Sequence, residues 1–153
     1  MAKQSKRQLI LIVMPAWYVV ALSALLFTGC REPNGSYAMV SGTVTVDGQP
    51  LSGAIVTFEP LDGTPGKNAS ASVFDGQFQI SGDAQLHGGN YLARISMMPS
   101  GILRKLPDAQ RQSLPPANSV IDPAFDSNSR LRCTLAPGQE NSLAFQIHFL
   151  STR

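Results

Sequence analysis

From residue 39 onward, apolar and polar residues alternate in short runs broken by Gly, Pro, Asp and Asn. A period of two places alternate side chains on opposite faces of a strand, so each run predicts a half-buried β-strand. In the run 39–46, Val40, Gly42, Val44 and Val46 share one face, and Met39, Ser41, Thr43 and Thr45 share the other. Further runs fall at 54–59, 70–74, 77–81, 90–97, 130–136 and 141–149, giving seven strands. Their apolar faces carry Val56 and Phe58, then Tyr91, Ala93, Ile95 and Met97, and finally Leu143, Phe145, Ile147 and Phe149. Asp75-Gly76 joins two of the runs and is a strong hairpin signal, because both residues tolerate positive φ. Asp47-Gly48-Gln49-Pro50 reads as another turn, with Pro50 presetting its dihedral. Seven strands with one apolar face each cannot remain a single open sheet, and two stacked sheets bury those faces against each other. A domain of about 110 residues buries roughly 60–70% of its unfolded surface, which suffices without disulfides. The expectation is therefore an all-β, seven-stranded antiparallel sandwich over residues 39–150.

One stretch breaks the rhythm. Residues 99–129 separate two strands and are too long for a structureless connection, so they are either functional or partly helical. Within them, 101–112 carries Ile102, Leu103 and Leu106 and suits one or two helical turns before Leu114-Pro115-Pro116. Arg104, Lys105 and Arg111 form the one local basic cluster beyond residue 30, read either as a solvated loop face or as an anion or headgroup contact. Asp122, Asp126 and Asn128 carry oxygens that suit calcium, although turn chemistry explains them more simply.

The N-terminus follows a different pattern. Residues 1–8 are polar and basic, and 9–27 form nineteen residues without a charge. A basic start, an apolar middle and small residues at the end are the parts of a secretory signal. Nineteen apolar residues also just cross a bilayer, so an uncleaved membrane anchor is the competing reading. Phe27-Thr28-Gly29-Cys30 resembles the lipobox of bacterial lipoproteins, with Phe27 departing from the commonest first residue. The resemblance implies an N-terminal signal helix over 1–29, cleavage between Gly29 and Cys30, and acylation of Cys30 followed by a polar tether over 30–38. The membrane partner would then be engaged through the lipid on Cys30, where each buried methylene contributes about 0.8 kcal/mol. It also makes Arg31 a non-retaining residue, which favours the outer membrane or cell surface.

Charge and cysteine usage narrow the remaining classes. Twelve Lys and Arg stand against ten Asp and Glu, but Lys3, Lys6 and Arg7 precede the apolar run. Nine basic and ten acidic side chains remain from residue 30 onward, so the domain is near neutral. It lacks the basic footprint of a nucleic-acid binder. Cys30 and Cys133 are the two cysteines. With Cys30 acylated, Cys133 has no intrachain partner, and its position between Leu131 and Leu135 makes it a small buried hydrophobe. His87 and His148 are far apart in sequence, so no zinc spacing is present and no metal or cofactor is expected.

Three stretches carry a resemblance that reaches beyond the anchor. "VSGTVTVDGQPLSGAIVTFEP", "ASVFDGQFQIS" and "GGNYLARIS" are similar to the carboxypeptidase regulatory-like, or transthyretin-like, β-sandwich. The matching elements are Val40, Gly42 and Val44; Asp47, Gly48, Pro50, Leu51, Gly53 and Ala54; Val56 and Phe58; Asp75, Gly76 and Phe78; and Gly89 with Tyr91. The match spans about residues 39–97. The resemblance implies a fold and no activity, since these residues turn the chain or fill space and none is poised for reaction. Gly42 within a strand signals a bulge or a close backbone approach.

A transthyretin-like hydrolase would need an array of His and Arg and a Tyr-Arg-Gly-Ser ending, whereas this chain ends Phe149-Leu150-Ser151-Thr152-Arg153. Sugar recognition favours exposed aromatics, and the single Trp17 lies in the signal segment. An internal Lys–Asn isopeptide needs a lysine on a strand, and Lys67 and Lys105 fall in loops. The expected function is a non-catalytic, lipid-anchored envelope protein whose sandwich has a structural or binding role toward an envelope protein or glycan. The alternative is a glycan- or peptide-binding module using the 99–129 loop or a sheet edge, with a small hydrolase as the third reading.

Overall fold

The computed structural model describes residues 37–150, and each alternating run forms a strand. The strands are β1 (Met39–Val46), β2 (Gln49–Pro50), β3 (Ala54–Pro60), β4 (Ala69–Val73), β5 (Gln77–Ile80), β6 (Gly89–Met97), β7 (Leu131–Leu135) and β8 (Glu140–Ile147). The expected signal segment, Gly29, Cys30 and the tether to residue 36 lie outside the described residues. Among the described residues, no helix is long and apolar enough to cross a membrane.

Four strands form one sheet in the order β4-β3-β6-β7. The other sheet is built around β1. β8 runs along one side of it for its whole length, while β5 and β2 share the other side. β5 pairs with Val40–Thr43, and β2 pairs with Thr45 and Val46. The chain changes sheets four times, at β2 to β3, β4 to β5, β5 to β6 and β7 to β8.

Two features correct the expected seven-stranded antiparallel sandwich. The count is eight, because the turn at 47–50 closes so tightly that Gln49 and Pro50 themselves pair with β1. Asp47 and Gly48 have φ of 49° and 80°, and Asp75 and Gly76 have φ of 48° and 73°. Positive φ at both central residues is the two-residue hairpin geometry whose twist matches that of the strands. The second correction is that β1 and β8 are parallel. β8 arrives from the opposite sheet at the end where β1 begins, with Met39 opposite Glu140, so the two must run in the same direction. An alternating pattern is blind to this, because side chains alternate identically in parallel and antiparallel strands. Smaller differences are at element ends: β4 starts at Ala69, and β8 stops at Ile147 rather than Phe149.

The apolar faces meet between the sheets as expected. Val40, Val44, Val56, Phe58, Val73, Phe78, Tyr91, Ala93, Ile95 and Ile147 are buried. Phe58 occupies the centre, with ring centroids 6.1 Å from Phe78, 6.4 Å from Phe145 and 6.5 Å from Tyr91. Phe58 and Tyr91 come from one sheet, and Phe78 and Phe145 from the other. The cluster therefore joins the layers, each aromatic pair adding about 0.5–1.5 kcal/mol beyond its burial. Phe78 fits because Gly42 lies beneath it. A Cβ on Gly42 would stand 2.6 Å from Cζ of Phe78 and 2.4 Å from the Leu143 carbonyl oxygen. The glycine thus marks a close approach, with continuous pairing and no bulge. The Tyr91 hydroxyl is satisfied locally, donating to the His87 carbonyl at 3.0 Å and accepting from the His87 amide at 3.1 Å.

Candidate binding groove

The long connection between β6 and β7 is ordered, and its local sequence explains its course. Two short helices, Ser100–Leu103 and Asp108–Gln112, each follow a proline. A proline at a helix start loses nothing, since its missing N–H would be unpaired there. The carbonyls of Pro99 and Pro107 accept the first helical bonds, from Ile102 at 2.8 Å and from Gln110 at 3.0 Å. Pro107 and Pro115 also stop the segment that precedes each, because the residue before a proline is pushed out of helical geometry. Leu103 and Leu106 turn partly inward, whereas Ile102 is exposed.

After the second helix, Leu114 packs over Gly53 at the start of β3. Ile121 then pairs with Phe149 as a one-residue bridge, and flanking bonds join Leu150 to Val120 (2.7 Å) and Asp122 to His148 (3.1 Å). This pairing uses the backbone that the alternation had assigned to a longer β8. A 3₁₀ turn, Pro123–Phe125, follows, and its start is capped by Asp122, whose carboxylate accepts from the Ala124 amide at 2.8 Å. Arg94 on β6 then holds the chain. Its Nη1 donates to the carbonyls of Asp126 (3.0 Å) and Ser127 (2.9 Å), and its Nε lies 2.7 Å from Glu59. The Ser129 hydroxyl donates to the Ala93 carbonyl at 2.6 Å. Asp122 and the backbone of Asp126 are thus engaged in turn and anchor contacts.

The product of this path is a groove of about 610 Å³ at the pole where β1 ends. Met97 and Met98 from the end of β6 and Leu103, Leu114, Pro115 and Pro116 from the connection form its apolar surface. Arg104 and Arg111 line it and supply positive charge. Both are exposed, and Arg111 also pairs with Asp108 one helical turn away. That pair is exposed, and surface pairs of this kind contribute about 0–1 kcal/mol. The structure therefore brings two of the three predicted basic residues to one concavity. Lys105 is exposed but does not line it.

The methionines and the Leu-Pro-Pro run are the lining residues that sequence reasoning missed as a set. The alternation places Met97 on a strand face, and Leu114-Pro115-Pro116 reads only as a helix stop. The available signal was an apolar run in an otherwise polar connection beside an isolated basic cluster.

A second cavity, of about 570 Å³, is lined by Leu61, Asp62, Asn90, Arg132, Cys133 and Thr134. Its polar walls are partly engaged with one another, since the Thr134 hydroxyl donates to Asn90 at 2.7 Å. Cys133 is half-buried against the core, on the same face as Leu131 and Leu135. Burial pushes its thiol up to about 11, away from the reactive thiolate. His148 is exposed, with Nδ1 2.7 Å from Asp47. Among the described residues, no group of three or more His, Cys, Asp and Glu side chains converges on a point suited to a metal ion. No family model, curated protein or solved structure matches this chain.

Proposed function

We propose that this chain is a non-catalytic, lipid-anchored protein of the cell envelope, exported and tethered through Cys30, whose transthyretin-like sandwich holds out the 99–129 connection as a binding surface. The observation that carries the binding part is the groove itself. A connection that could have been a solvated loop is folded around an apolar concavity with Arg104 and Arg111 at its edge. Largely apolar lining with a few placed polar groups is the usual form of a ligand seat, and its volume is in the common range of about 300–1,000 Å³.

The transthyretin-like reading draws support from where the motif residues fall. Val40, Gly42 and Val44 lie on β1, Val56 and Phe58 on β3, and Gly89 and Tyr91 on β6, while the two Asp-Gly pairs make the hairpin turns. Support for a non-catalytic role comes from the chemistry of the perturbed groups. Burial raises the pKa of both Tyr91 and Cys133, holding each in its neutral form. The anchor rests on the Thr28-Gly29-Cys30 sequence after an apolar run.

Labelled palmitate fed to cells making the wild-type chain or Cys30→Ala tests the anchor. Incorporation into the wild type and its loss in the variant is the expected result, and equal labelling of the two rejects acylation at Cys30.

A further inference from the structure

The groove's chemistry specifies an occupant. We propose that it receives an extended segment of a partner polypeptide, an acidic residue flanked by apolar ones. The inference rests on the anchored, binding reading above and names its ligand class.

Two observations carry it. The first is the lining. Met97, Met98, Leu103, Leu114, Pro115 and Pro116 offer apolar surface without an aromatic ring. A sugar would find no ring to stack upon. Apolar side chains of varied shape would find two flexible thioethers, which adapt to irregular partners. The second is charge. Arg104 and Arg111 are two guanidiniums beside that surface, and Asp108 opposes them only through an exposed pair. A guanidinium's fork of donors matches a carboxylate, and charge-assisted hydrogen bonds are roughly twice as strong as neutral ones. A carboxylate docked against partly apolar walls displaces Asp108, whose own contact stands in water.

The test uses the full-length protein in detergent, panned against a random dodecapeptide display library. Arg104→Glu and Arg111→Glu reverse the groove's charge at exposed positions where the fold tolerates it. Lys105→Glu makes the same change in the same cluster outside the groove. The expected result is enrichment of peptides carrying Asp or Glu between apolar residues. Their affinity should fall at least about tenfold in each arginine variant and less than about twofold in Lys105→Glu. No enrichment, enrichment of peptides without an acid, or equal loss in all three variants overturns the proposal. Parallel arms use phosphatidylglycerol vesicles and an array of neutral oligosaccharides. Binding there that is lost in the arginine variants overturns the peptide assignment while leaving a binding groove in place. Palmitate labelling at Cys30 alongside no groove-dependent binding in any arm overturns the groove and leaves only the anchor standing.

Discussion

Between residues 39 and 97, nearly every second strand residue is sealed between the sheets, whereas from 98 to 130 only Met98 and Ile121 are buried. The first region is held by burial and by the aromatic cluster around Phe58. The second is held by a few polar anchors on the backbone: Arg94 donates to the Asp126 and Ser127 carbonyls, Ser129 donates to the Ala93 carbonyl, and Asp122 accepts from the Ala124 amide in the turn that follows it. The difference separates two jobs. A core that excludes water fixes the scaffold cooperatively. A segment pinned at intervals can present apolar surface to a ligand without having its own core. The two regions should therefore fail in different ways.

The largest effect is expected at the centre of the scaffold. Phe58→Ala removes the ring that contacts Phe78, Tyr91 and Phe145 and should cost about 3–5 kcal/mol, read as a lower urea midpoint. Gly42→Ala should cost about 1–3 kcal/mol by overpacking, since the Phe78 ring can shift but the Leu143 carbonyl is backbone. A neutral result there would mean that the sheets breathe more than their packing implies. Arg94→Met tests the other region. It removes the bonds to two carbonyls and the pairing with Glu59, and should lower stability by about 1–2 kcal/mol. Groove binding should weaken in the same variant while the urea m-value stays unchanged. Loss of the whole fold would show that the two regions are one unit.

Cys133 gives the smallest effect at neutral pH. Its thiol is raised to about 11 by burial, while an unfolded thiol ionises near 9. The stability it contributes is complete below pH 9 and is lost as pH rises toward 11. At pH 8, native protein should react with iodoacetamide at least about tenfold more slowly than urea-unfolded protein, because so little thiolate is present. Equal rates would place the thiol in solvent.

The scaffold was legible because its determinants are local and periodic. Alternation located the strands, Asp47-Gly48 and Asp75-Gly76 announced their turns, and Gly42 announced either a bulge or a close approach, of which the fold shows the second. Pairing direction was not legible, because β8 has the same alternation beside β1 in either direction. The stapling role of Asn141 was equally hidden. Its side chain accepts from the Ala136 amide at 2.8 Å and donates to the Ala136, Gln139 and Met39 carbonyls. Only the fold brings those groups together. The groove was half visible. Arg104 and Arg111 stood out as an isolated basic cluster, but its lining joins the end of β6 to residues 103–116, a juxtaposition that no local pattern encodes.

Native-state hydrogen exchange on the full-length protein tests the division of labour most directly. Amides of β1, β3 and β6 should exchange only through global opening, and those of 100–112 through a smaller, local one. An excursion that exchanges at the global free energy, in step with the strands, would contradict the account.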